Sequence, residues 1–136
     1  MNYKSLPLIC ILSFLLSSCG GSSSSATVAT TCSPTVTLSR SASSIAENAG
    51  SSLTLTATLS IKVDETVTVA LSTSGAATEG TDYTDGSGNL DDITVSAGST
   101  TGTVSFKPAD DSVYEDDEAA VIAISGVSGA DATESG

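Results

Sequence analysis

The sequence predicts an all-β protein, an antiparallel β-sandwich of six to seven short strands with almost no helix. Three observations support this. Aliphatic residues alternate with threonine and serine in several runs, which is the period-two pattern of half-buried strands. Turn-forming residues separate these runs at short intervals. No stretch shows the periodicity of an amphipathic helix.

The predicted strands cover residues 35–39, 44–46, 52–59, 66–72, 93–96, 101–107 and 119–125. Their inward faces are expected to carry Val36, Leu38, Leu53, Leu55, Ala57, Leu59, Val67, Val69, Leu71, Val104 and Phe106. Pro108 is expected to end the sixth strand because proline cannot donate to the sheet. The last strand is apolar on both faces, which predicts a place near the centre of a sheet.

The charge balance limits the partners of this chain. There are 16 acidic residues against 4 basic ones and no histidine, a formal net charge of −12 in 136 residues. Such a surface repels phosphate backbones, so nucleic acid is not expected as a partner, and it weakens direct adsorption to anionic lipid. Metal cations or cationic partners fit this charge better, and the length suits one domain.

Residues 1–18 are predicted to be a cleaved secretory signal, because Lys4 precedes an apolar run at 6–16 that is short for a membrane span. The run ends in Leu-Ser-Ser-Cys19, which resembles the lipobox of bacterial lipoproteins; an ordinary signal with a chance cysteine is the alternative. Acylated Cys19 would anchor the protein by lipid only, in the bacterial envelope at the outer membrane or cell surface. Residues 19–34 then form a tether and 35–136 the domain, while Cys32 has no assigned chemistry.

Residues 110–118 are the most unusual stretch, with six acids among nine positions between two predicted strands. Carboxylates packed this closely repel one another and need an offsetting charge. Oxygen atoms are the ligands of Ca²⁺, which takes about 6–8 of them. The stretch therefore predicts a calcium site, and the alternative is a solvated acidic loop.

Four blocks of sequence resemble the Calx-beta domain of sodium–calcium exchangers and many bacterial surface proteins. They are 45–50 (IAENAG), 80–83 (GTDY), 93–98 (ITVSAG) and 110–118 (DDSVYEDDE), and the similarity covers about 36–136. The resemblance implies an immunoglobulin-like sandwich with a calcium site at one end. Carried over by position, the implied ligands are the side chains of Glu47, Asp82, Asp110, Asp111, Glu115 and Glu118 and the carbonyl of Val113.

The chain departs from the family pattern after residue 126. The family's final strand and its closing aspartates are expected beyond the 126–136 segment, where the sequence stops. We therefore expect a fragment of a longer, multi-repeat protein, or a strand added by a partner or a neighbouring copy. Strand 119–125 is expected to have an open edge.

The function expected from these observations is that of a calcium-binding surface module with a structural or adhesive role. The alternative is a metal-free spacer or protein-interaction domain of the same fold. An enzyme is not expected, because there is no histidine, no serine in an activating motif and no aromatic platform beside the crowded acids.

Overall fold

The computed structural model describes the backbone of residues 5–10 and residues 33–111, 116–130 and 132–135 in full. These residues form ten strands and one 3₁₀ turn, Glu47–Ala49, so the all-β prediction is confirmed. The strands are β1 Ser5–Cys10, β2 Thr35–Arg40, β3 Ser44–Ala46, β4 Leu53–Leu59, β5 Val67–Gly75, β6 Tyr83–Thr84, β7 Ile93–Val95, β8 Thr101–Pro108, β9 Ala120–Ser128 and β10 Thr133–Glu134.

The strands form two five-stranded sheets. One has the order β3-β1-β9-β5-β7 and the other β10-β2-β4-β8-β6. Pairing is antiparallel except between β1 and β9 and between β10 and β2. The seven predicted runs correspond to β2–β5 and β7–β9. Two of the added strands, β6 and β10, are two residues long, too short for an alternating pattern to be recognised.

The core lies between the sheets and includes nine of the eleven residues predicted to face inward, whereas Leu71 and Val104 are only half-buried. It also includes residues outside that prediction, such as Ile93 and Ile122. In β4, Leu53, Leu55, Ala57 and Leu59 are buried, while the threonines between them are exposed or half-buried. Phe106 of β8 is fully buried, and its ring stacks on that of Tyr83 with centroids 4.5 Å apart. Aromatic rings of this kind contribute large buried areas, and this stack lies directly below the loop that begins at residue 109.

Strand β9 differs from its prediction in two respects. Ala120 and Ile122 are buried, but the second half of the strand is half-buried or exposed, and its register shifts opposite Ala70 and Leu71. β9 is also not open along its whole edge as expected, because β1 pairs with residues 120–122. Beyond Ile122, the described strands leave that side of β9 unpaired.

The proposed leader contains β1, which lies between β3 and β9. Whether residues 1–18 are removed stays a prediction. Within the described part of the chain, no helix has the length and apolar character needed to cross a membrane.

Candidate metal site

The ends of β4, β6 and β8 define one pole of the sandwich. β4 begins opposite Phe106, and β6 pairs with the last two residues of β8 in the register Tyr83–Pro108 and Thr84–Lys107. The loops that lead into β4, into β6 and out of β8 therefore meet here. These loops carry five predicted ligands, and we call this pole the acidic end: Glu47, Asp82, Asp110, Asp111 and Glu118. The opposite pole holds the loops at 60–66, 96–100 and 129–130.

Glu47 and Asp110 line a single cavity of about 390 Å³ at the acidic end. Glu47 opens the 3₁₀ turn and is half-buried, whereas Asp110 follows β8 and is exposed. Gly50 ends the 3₁₀ turn with φ +62, a left-handed conformation that turns the chain back into β4. Two carboxylates from distant parts of the sequence thus share one cavity whose wall also includes Lys107.

Asp82 is held differently from the other acids. It is buried, and its Oδ2 accepts a hydrogen bond of 2.6 Å from the backbone N–H of Thr78. Its carbonyl oxygen accepts a bond of 2.9 Å from the N–H of Ala109, the residue before Asp110. Asp82 therefore closes its own loop and ties that loop to the start of the acidic stretch.

The remaining predicted ligands are only partly described. Asp111 is exposed, and Glu118 is half-buried next to Ala119, whose carbonyl accepts the N–H of Ala77 (3.2 Å). Val113 and Glu115 lie outside the described residues, as does Cys19. Among the residues that are described, no three acidic, cysteine or histidine side chains lie close enough to hold a metal ion. Ligation by the predicted set stays a prediction.

The carboxylate of Asp82 is expected to stabilise the fold even without metal. Replacing it in Asp82→Ala removes the part-buried hydrogen bond from the Thr78 N–H, which costs about 0.5–1.5 kcal/mol of the free energy of unfolding. Urea unfolding in EDTA measures this loss. Asp110→Ala is the matched control because Asp110 is exposed, and we expect it to unfold like the parent. Equal stability of Asp82→Ala and the parent would contradict the assigned role.

The loop after β6 contains a second polar structure, centred on the Asp85 carboxylate, which the sequence analysis did not single out. Oδ1 of Asp85 accepts hydrogen bonds from the N–H of Ser87 (2.6 Å) and of Gly88 (2.9 Å), and the Ser87 hydroxyl also donates to it. These bonds, those from Ser87 foremost, lower the pKa of Asp85 to about 2. An aspartate followed by glycine and serine is the usual composition of such a turn, so the signal was present.

Asp91 faces Asp85, and the hydrogen bond between the two carboxyls, with their mutual repulsion, raises the pKa of Asp91. A raised pKa stabilises the fold only while Asp91 is protonated, and that contribution is lost as pH rises through the raised value. The opposite holds for Asp85, whose contribution is lost as pH falls from about 4 toward 2. When both groups are charged, they repel each other.

Asp91→Asn should therefore raise the melting temperature at pH 7, by about one to three degrees for an exposed pair. The amide keeps a hydrogen-bond donor toward Asp85 but carries no charge. At pH 3 the parent Asp91 is already protonated, and the gain should vanish. Calorimetry at both pH values measures this, with Asp64→Asn at the opposite pole as the control for lost negative charge. A gain that is equal at both pH values would argue against the pairing.

Two stacked sheets, with acidic loops gathered at one pole, define the architecture of a β-sandwich module. The family model for the Calx-beta domain matches residues 30–134. The match covers most of the chain, which therefore belongs to the Calx-beta family, a family of non-catalytic and generally calcium-binding domains. No curated protein and no solved structure matched the chain in the corresponding searches.

Proposed function

We propose that this chain binds Ca²⁺ at the acidic end and that the ion has a structural role there. The observation that carries the proposal is the shared cavity of Glu47 and Asp110, two carboxylates from different loops. Their oxygen atoms are the donors a hard cation prefers. Membership of the Calx-beta family supports calcium as the ion.

Each residue of the proposed site would have a distinct role. Glu47 and Asp110 would bind the ion from opposite loops, and Asp111, Glu118, Glu115 and the carbonyl of Val113 would complete the oxygen shell. Bound Ca²⁺ supplies the positive charge that offsets the repulsion in residues 110–118. Asp82 holds the 78–82 loop against Ala109, so the loops are positioned before an ion arrives. Because the ion binds the folded form only, it stabilises that form.

A metal-free spacer or protein-interaction domain is the second candidate. One observation favours it: among the described residues, no three acidic side chains lie close enough together to hold a metal ion. In that case the acids repel one another across solvated loops, and the domain serves to hold its neighbours apart. Such a domain would show no response to calcium.

The cellular setting is also a proposal and is supported by the sequence. A lipid anchor at Cys19 and the uncharged 20–33 tether would hold the domain at the bacterial envelope, in an outer-membrane or surface location. An adhesive role would then involve a protein partner or a neighbouring repeat. The side of β9 that lies beyond Ile122 offers backbone groups for such a contact.

Isothermal titration of the 136-residue chain with CaCl₂ tests the proposed function. We expect saturable binding, with much weaker binding of Mg²⁺, since Mg²⁺ demands near-octahedral geometry and keeps its waters. The control is Asp116→Asn with Asp117→Asn, which removes two exposed acids of the same stretch that have no assigned role. Absence of a calcium heat in the parent chain would favour the metal-free spacer.

A further inference from the structure

A lysine lines the cavity in which the proposed calcium site lies. Lys107 is the second-last residue of β8 and lines the same cavity as Glu47 and Asp110. It is the one basic residue among those that line this cavity. Its aliphatic stem passes over Gly86, where an added Cβ would come within 4.0 Å of the Lys107 Cδ. Pairing with Thr84 places Lys107 beside the loop that holds Gly86, in the wall of this cavity.

We propose that Lys107 is the built-in counter-cation of the acidic end: it offsets the carboxylates while the metal is absent and competes with the divalent ion for them. This inference rests on the proposed function for its calcium half only. The counter-charge half concerns the metal-free protein and stands on the shared cavity alone.

The chemistry of lysine suits this role. An ammonium group has three hydrogen-bond donors and no acceptor, so it interacts with carboxylates but cannot bind a metal ion. Lys107 is exposed and its four-carbon stem is flexible, so the charge can move aside when an ion enters. A positive charge left near a divalent ion still repels it, and this lowers the affinity of the site.

The experiment compares calcium affinity by titration calorimetry of the full chain in three variants. Lys107→Gln removes the charge and should bind Ca²⁺ about three- to tenfold more tightly at low salt, with the difference shrinking at high salt. Lys107→Arg keeps the charge and should bind like the parent. Lys62→Gln removes the same charge in the loop at the opposite pole and should also bind like the parent.

Melting in EDTA gives a readout that calcium binding does not affect. Lys107→Gln should melt below the parent and below Lys62→Gln, since the acids lose their counter-charge. If the parent binds calcium but Lys107→Gln binds it no more tightly than Lys62→Gln does, the inference is overturned and the proposed function stands. If the parent binds no calcium, the proposed function fails, and the EDTA melt alone decides: a selective fall for Lys107→Gln supports the counter-cation, and equal melting overturns it.

Discussion

Calcium is expected to raise the melting temperature of this chain by about 10–20 °C when its concentration is one hundred times Kd. A ligand that binds only the folded form adds about 2.7 kcal/mol at that concentration. For a domain of roughly 100 residues, each kcal/mol corresponds to about 4–8 °C. The physical source of the gain is the removal of repulsion among acids that share the acidic end, including the cavity of Glu47 and Asp110.

Asp110→Asn combined with Asp111→Asn should abolish this rise. The substitutions keep side-chain size but remove two charged ligands at exposed positions, so the melting temperature without metal should not fall. The control pair, Asp116→Asn with Asp117→Asn, removes the same two negative charges within the same stretch. Calcium should still raise the melting temperature of this control. Calorimetry with and without calcium measures both. If both pairs lose the rise to the same extent, the effect is one of general charge and not of specific ligands.

The largest loss of stability is expected from Phe106→Ala, at about 3–5 kcal/mol of the free energy of unfolding. Phe106 is fully buried, and its ring lies 4.5 Å from that of Tyr83 at an interplanar angle of 24°. Removal of the ring leaves a cavity and deprives Tyr83 of its stacking partner. Because domains are stable by only about 5–15 kcal/mol, this loss is a large fraction of the total stability.

Tyr83→Phe is the matched control for the stack because it keeps the ring. Burial raises the pKa of Tyr83, which shows how poorly its oxygen is solvated. The Thr73 hydroxyl donates to Glu79 (3.1 Å), and the Tyr83 oxygen has no hydrogen-bond partner among the described residues. Loss of that hydroxyl should therefore change the stability by less than about 1 kcal/mol. Urea unfolding compares the two variants, and similar losses in both would show that the stack contributes little.

The seven main strands could be predicted from the sequence because burial of one face of a strand produces an alternation of apolar and polar residues within a short segment. In β4 every second residue is apolar and buried, and the pattern is complete within seven residues. The two-residue strands β6 and β10 are too short to show this alternation. They form because neighbouring strands offer them backbone partners. The pairing of β1 with β9 could not be predicted either, because its residues matched a secretory leader.

The sequence alone determined the fold class, the acidic character and the residues on which a calcium hypothesis rests, since these depend on residue type and on spacing within short segments. The tertiary structure decided which acids share a cavity: Glu47 with Asp110, and Lys107 beside them. It also showed that the Asp82 carboxylate binds its own loop. These outcomes depend on the register between strands that are distant in the chain, and register is decided by the packing of whole sheets.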